Sequence, residues 1–242
     1  MKRITKIATP ILAAAVMAVS CGDANNRVSM NTKVLTQAER DAMTPACVIE
    51  ILKKGNQEFA NNQLTVRNNT DLVADAAGGQ FPMAVILSCL DSRVPVEDVF
   101  HRAIGDIFVG RVAGNTATVD MLGSMEFACA VAGAKVVMVL GHGACGAVLH
   151  AINNSQAGNI TEMLSKIRPA VGTTEFETDG LSLDHIPNDF LRTVTLENIR
   201  LQVRNIRQNS EILRDMEAQG AIRIIGGYYD MHTGKVEFFE NI

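Results

Sequence analysis

Two stretches of the chain are apolar at nearly every position rather than at alternate ones: residues 83–88 (MAVILS) and 135–141 (KVVMVLG). Short continuous runs of this kind, the first preceded by Pro82, predict strands buried on both faces of a sheet. A third strand is expected over 106–112 (DIFVGRV). Between and around these runs the period changes. Over 36–61, Val48, Ile49, Leu52 and Phe59 recur at helical spacing with Lys53, Lys54 and Glu58 opposite them, until NNQLTVRNN interrupts the pattern. Residues 118–134 and 144–153 also predict helices, and 194–220 predicts a long amphipathic one stopped at Gly220. Two last strands, 221–230 and 235–240, flank the turn MHTG and form a C-terminal edge hairpin. Strands alternating with helices imply an α/β fold with a mainly parallel central sheet flanked by helices. No internal linker divides it, so one domain is expected over 35–242.

The first twenty residues follow different rules. Lys2, Arg3 and Lys6 precede a short apolar stretch, Ile11 to Val19, and small residues then lead to Cys21. This is the layout of a secretory signal peptide, too short to act as a membrane-spanning anchor. The stretch AVSC resembles a bacterial lipobox, with Ala18 where leucine is usual, and implies lipidation of Cys21. The expected product is a periplasmic or outer-membrane-anchored lipoprotein. Residues 21–34 form a polar tether. Loss of the signal peptide would take the formal charge from −4 to about −7, which leaves no basic face for nucleic acid.

An exported chain could pair its cysteines, but five of them, at positions 21, 47, 89, 129 and 145, with no regular spacing, do not make a disulfide framework. Cys129, in EFACAVAGA, reads as a small buried hydrophobe. Cys47 follows Pro45 at a helix start. Cys89 and Cys145 have polar company: Cys89 and Asp91 end one strand in SCLDSR, and His142 and Cys145 follow another in GHGACG. Parallel sheets bind ligands beyond the carboxyl ends of their strands. Two thiolates and an imidazole suit zinc and leave a fourth tetrahedral position open, as catalytic sites do. The residues by themselves leave zinc and unrelated buried cysteines as equal alternatives.

SCLDSRVPVEDVF and GHGACGAV, in that order and separation, resemble the two signature motifs of the β-class carbonic anhydrases. The resemblance extends from about Pro45 to the end: ACVIEILKKGNQEFANNQ resembles the family's N-terminal helical arm, ENIRLQVRNI its late helix, and GGYYDMHTGKVEF its final strands. It implies zinc-dependent, reversible hydration of carbon dioxide to bicarbonate and a proton, by attack of hydroxide generated at the metal. It implies Cys89, His142 and Cys145 as zinc ligands and Asp91 with Arg93 as the catalytic dyad, Asp91 becoming a fourth ligand only in a closed form. Gln80, Phe108, Phe127 and Gly146 fall at substrate-pocket positions, the two phenylalanines being core residues on any reading.

Ile86 stands where members with a regulatory bicarbonate site have tryptophan. The chain has no tryptophan at all, so an open form without that switch is expected, and Arg111 is left a structural or interface role. The resemblance also implies a homodimer or dimer of dimers, formed through the arm and the sheet edge with each active site at the interface. Its substrates would be small molecules, and membrane contact would come only through a lipidated N-terminus. Alternatives on the same ligands are a hydrolase of CS2-like heterocumulenes and a non-catalytic zinc-stabilised lipoprotein; a Cys–His nucleophile has no supporting motif. His101, His150, His185 and His232 are expected at the surface or as helix caps rather than as proton shuttles, and Arg200, Arg204, Arg207 and Arg214 on a solvated helix face.

Overall fold

The computed structural model describes residues 33–174 and 186–242; the expected signal peptide, Cys21, most of the tether and His185 lie outside them. The first helical stretch is two helices. In α1 (Gln37–Asp41), the Thr36 hydroxyl accepts from the Glu39 N–H and the Glu39 carboxylate accepts from the Thr36 N–H, a capping box. In α2 (Pro45–Ala60), Thr44 caps the Cys47 N–H at 3.2 Å and Pro45 takes the first helical position, where its missing N–H costs nothing. The apolar positions that carried the helical period, Val48, Ile49, Leu52 and Phe59, all lie in α2, whereas α1 buries only Arg40. A short α3 (Asn69–Ala76), capped by Asn68, follows where only irregular chain was expected, and Leu72 is its one buried residue.

The strands lie within a residue or two of their predicted bounds: β1 (Ala84–Ser88), β2 (Ile107–Arg111), β3 (Val136–His142), β4 (Arg223–Tyr229) and β5 (Val236–Phe239). They form one sheet in the order β2-β1-β3-β4-β5, parallel except for the β4–β5 hairpin. Both faces are covered. Ile86, Met138 and Leu140 pack with α2 residues Val48, Ile51 and Leu52 on one side. Val85, Leu87, Val137 and Val139 face the other, against Ile199, Val203 and Ile206. Alternating side chains of a continuous aliphatic strand thus serve two cores, each fully buried aliphatic contributing ~1.5–3 kcal/mol. The Asn56 amide locks α2 to the hairpin, donating to Val99 O and Gly234 O and accepting from Val236 N.

Between strands lie α4 (Val96–Val99), α5 (Val119–Glu126) continued by a π turn (Phe127–Val131), α6 (Gly146–Ile152), α7 (Gly158–Ser165) and α8 (Arg168–Val171). The predicted late helix is again two, α9 (Asn188–Asn209) and α10 (Glu211–Ala218). Buried Ser210 makes the break: its hydroxyl accepts from the Leu213 N–H and donates to Glu126 at 2.6 Å. Among the described residues no helix is long and apolar enough to cross a membrane.

Candidate metal centre

The carboxyl ends of β1 and β3 are neighbours, Ser88 pairing with Leu140, so the residues that follow them meet. Cys89 comes directly after β1, and His142 is the last residue of β3. The chain then turns tightly. The Gly143 N–H donates to Tyr229 O at 3.0 Å, Ala144 takes a left-handed conformation (φ 52°), and Cys145 caps α6. This turn brings Cys145 back over His142. The donor atoms of Cys89, His142 and Cys145 all lie within 4.8 Å of one another, and all three residues are buried. Among the described residues no other such group occurs.

The donor set fits zinc. The two sulfurs are 3.9 Å apart, and two thiolates each ~2.3 Å from one tetrahedral ion would be separated by ~3.8 Å. The His142 ring is 0 % exposed, with Nδ1 2.9 Å from the Gly143 carbonyl. A carbonyl only accepts, so Nδ1 carries the proton and Nε2 presents its lone pair. Nε2 is buried without any hydrogen-bond partner. Such an atom is costly to leave unsatisfied, and a metal ion satisfies it.

Without the ion the sulfurs divide one proton between them. The adjacent Cys145 thiol, with help from the Asp91 and Gly114 backbone, holds Cys89 down to about 4 against the effect of burial. Cys145 is pushed well up by that same contact with Cys89 and by burial, although the Ala147 and Val148 N–H groups at the start of α6 favour its thiolate. The metal-free pair therefore shares one proton at neutral pH, and zinc must displace it. Uptake of zinc by the metal-free protein at pH 7 is expected to release about one proton from the site. Titration calorimetry in buffers of different ionisation enthalpy checks this.

Asp91 stands beside the donor group. Both of its oxygens are held by the Arg93 guanidinium, Nε to Oδ1 at 2.9 Å and Nη2 to Oδ2 at 2.7 Å, while the Arg93 N–H donates to Oδ1. A fork of this kind fixes a carboxylate's plane as well as its charge. It holds Asp91 down to about 2, so the carboxylate is ionised throughout the working range. Oδ2 lies 3.9 Å from His142 Nε2. Arg93 also donates to Ala144 O, tying the two loops together. Arg111 donates to the carbonyls of Cys89 and Asp91 and braces the loop from the β2 side.

The expected substrate-pocket residues are dispersed within one chain. Gln80 is exposed before the amino end of β1, whereas Cys89 follows its carboxyl end; the five-residue strand between them spans ~16 Å. Phe108 and Phe127 line a groove of about 770 Å³ along the β2 edge with Val109, Arg111 and Met121, but the metal-ligating side chains do not line it. Phe127 is not a core residue: it is 54 % exposed, with Val119 and Val131 exposed on the same helical stretch. Gly146 is exposed at the start of α6, with open space where a Cβ would stand.

His101 departs from expectation. It is buried, its Nδ1 2.7 Å from the Glu58 carboxylate and its Nε2 accepting from the Thr65 N–H. It anchors the loop after α2. His150 and His232 are exposed, as expected. Cys129 is buried, and its thiol is pushed up to about 12 by desolvation, as fits a packing residue. Arg207 is half-buried rather than on a solvated face, bonded to Glu217 and to the Ile224 and Ile242 carbonyls. One site neighbour escaped the sequence reading: the Gly114 N–H donates to Cys89 Sγ at 3.3 Å.

Comparison with known proteins gives a consistent picture. The family described as carbonic anhydrase matches residues 84–236. The chain is 32% identical to carbonic anhydrase 2 of Mycobacterium tuberculosis over 204 residues, covering 82% of this chain and 94% of that protein. It is 29% identical to the carbonic anhydrase of Mycolicibacterium smegmatis, covering 80% and 92%. Among solved structures, the Coccomyxa β-carbonic anhydrase in complex with acetazolamide is similar, with a TM-score of 0.61 and 25% identity over 79% of this chain and 84% of that one. A tetrameric β-carbonic anhydrase of Sordaria macrospora has the same fold, with a TM-score of 0.63 at 22% identity, covering 70% and 86%.

Proposed function

The chain belongs to the β class of the carbonic anhydrase family, and on that basis we propose that it hydrates carbon dioxide reversibly to bicarbonate and a proton at a zinc ion held by Cys89, His142 and Cys145. The observation that carries this reading is the buried, partnerless Nε2 of His142 facing two sulfurs 3.9 Å apart. Zinc, when bound, supplies the Lewis acidity that brings the pKa of a water from 15.7 to ~7. The chain's own residues do the rest. Asp91, fixed by Arg93, accepts a hydrogen bond from the attacking water at Oδ2 and so aims the oxygen lone pair at the carbon of CO2. The same fork draws the carboxylate away from the ligand position, which supports an open form, with Asp91 no ligand in the resting protein. Ile86 in place of tryptophan supports the absence of a bicarbonate switch. The relatives named above are all carbonic anhydrases, which favours CO2 over CS2-like substrates and over a purely structural zinc site.

A homodimer or dimer of dimers completes the pocket: Gln80, Phe108 and Phe127, remote from the zinc ligands of their own chain, serve those of a partner, and Gly146 offers its backbone N–H to substrate. Exposed Leu90, beside Cys89, and Val119, Phe127 and Val131 along the β2 edge supply the apolar surface that such contact would bury. The signal peptide and a lipidated Cys21 place the enzyme outside the cytoplasm on a membrane-tethered domain running from residue 35. Stopped-flow CO2 hydration by the zinc-loaded protein tests the activity; a rate no higher than that of buffer refutes it. Native mass measurement is expected to show an active species of at least two chains, and full activity in a monomer would refute the shared pocket. The mass of the mature N-terminus decides between lipidated Cys21 and a plain cut.

A further inference from the structure

Helix α9 carries two amides into the interior, Asn198 and Gln202, one turn apart and 0 % and 1 % exposed. Buried amides are costly unless satisfied, and these are satisfied in a particular direction. Asn198 Nδ2 donates to Gly114 O at 2.9 Å, and its Oδ1 accepts from Gln202 Nε2 at 2.9 Å. Gln202 Oε1 accepts from the Ala117 N–H at 3.0 Å, and its Nε2 also reaches Lys166 O. The pair therefore grips both ends of one turn, residues 114–117. The other end of that grip is the metal centre, because the Gly114 N–H donates to Cys89 Sγ.

Gly114 is the pivot of this turn. It sits at φ +71°, and a Cβ there would come within 2.3 Å of Ile167 Cδ1, so any side chain at this position is both strained and crowded. Glycine is also the residue least able to hold its own backbone orientation. Asn115, next in the chain, is left-handed as well (φ 46°). The turn is closed by the Asn115 N–H donating to Val112 O at 2.9 Å, and from outside Asn198 holds the Gly114 carbonyl, one peptide on from the N–H that meets Cys89.

We propose that Asn198, backed by Gln202, is a positioning residue for the metal centre: through the Gly114 turn it aims one backbone N–H at the Cys89 sulfur and fixes that ligand's orientation and donor strength. The proposal rests on the reading of Cys89 as a zinc ligand and assigns the supporting shell to a helix outside both signature motifs. Outer partners of metal ligands are typically worth ~10–100-fold in metal affinity.

The test compares zinc affinity, by competition with a chromophoric chelator, and the sulfur-to-metal charge-transfer band of the cobalt-substituted protein. The variants are Asn198→Ala, Gln202→Met and a control, Thr195→Val. Thr195 lies on the same helix, is equally buried, and among the described residues its hydroxyl donates to Leu191 O, so its replacement loses a buried hydrogen bond without touching the turn. Asn198→Ala is expected to bind zinc ~10–100-fold more weakly and to shift the band to lower energy, because the thiolate loses its hydrogen bond. Gln202→Met, which keeps the Asn198–Gly114 bond, is expected to fall between Asn198→Ala and wild type, and it remains readable should Asn198→Ala not fold. Thr195→Val is expected to match wild type in both measurements. Wild-type affinity and an unmoved band in every folded variant that alters the amide pair would overturn the proposal while leaving the zinc site standing. Equal weakening by Thr195→Val would overturn it in favour of a general packing effect. Absence of zinc binding by the wild type would remove the proposal together with the zinc site.

Discussion

Cys89→Ser is expected to abolish stoichiometric zinc and, with it, CO2 hydration. A neutral serine hydroxyl replaces a sulfur whose thiolate the Cys145 contact favours, holding Cys89 down to about 4. The remaining sulfur and nitrogen donors are one buried thiol, which desolvation pushes up, and one imidazole, which is too few for a structural grip on zinc. The loss should exceed the ~10–100-fold that removal of a merely supporting group costs. Metal analysis after dialysis, paired with stopped-flow hydration, reads both effects. Because both sheet faces are packed independently of the site, the apo variant should retain wild-type far-ultraviolet circular dichroism. A variant that keeps one zinc per chain and full activity would remove Cys89 from the ligand set.

Asp91→Asn should give the opposite pairing of results: zinc retained, turnover lost. The carboxylate is ionised at any working pH, being held to about 2 chiefly by the Arg93 fork. In the proposed mechanism its part is thus to accept a hydrogen bond, not to supply a proton. An amide placed against Arg93 can present only one oxygen, and its NH2 group would face either the guanidinium or the attacking water as a donor. A fall in kcat of ~10²–10⁴ is expected, the range for removal of a positioned proton acceptor, with one zinc per chain. Loss of zinc in this variant would instead make Asp91 a resident ligand and the resting site closed.

The strands were legible because aliphatic continuity reports burial on both faces directly, and the ends of β1 and β3 carry thiol, imidazole and carboxylate where packing alone would not put them. The helix breaks were harder to read. Ser210 holds cap chemistry, yet buried Ile206 and Leu213 continue the apolar period across it, while at Thr44–Pro45 the polar α1, which buries only Arg40, had no apolar period of its own to set it apart. Short α3 has a single buried side chain and no period to detect. His101 and Phe127 depart from expectation in opposite directions: a histidine can be buried when Glu58 and a backbone N–H satisfy it, and Phe127 stays exposed on the helical stretch that flanks β2. Asn198 and Gln202 left one trace, amides at the four-residue spacing that puts Val194 in the core. Nothing local says what such amides hold, since Gly114 is 84 residues away from Asn198 in the chain.

X-ray absorption at the zinc edge of the wild-type protein tests the account most directly. The expected shell is two sulfurs at ~2.3 Å, one imidazole nitrogen at ~2.0–2.1 Å and a single further light atom. A shell with one sulfur or none would contradict the joining of Cys89, His142 and Cys145 around one ion, and with it the enzyme's chemistry.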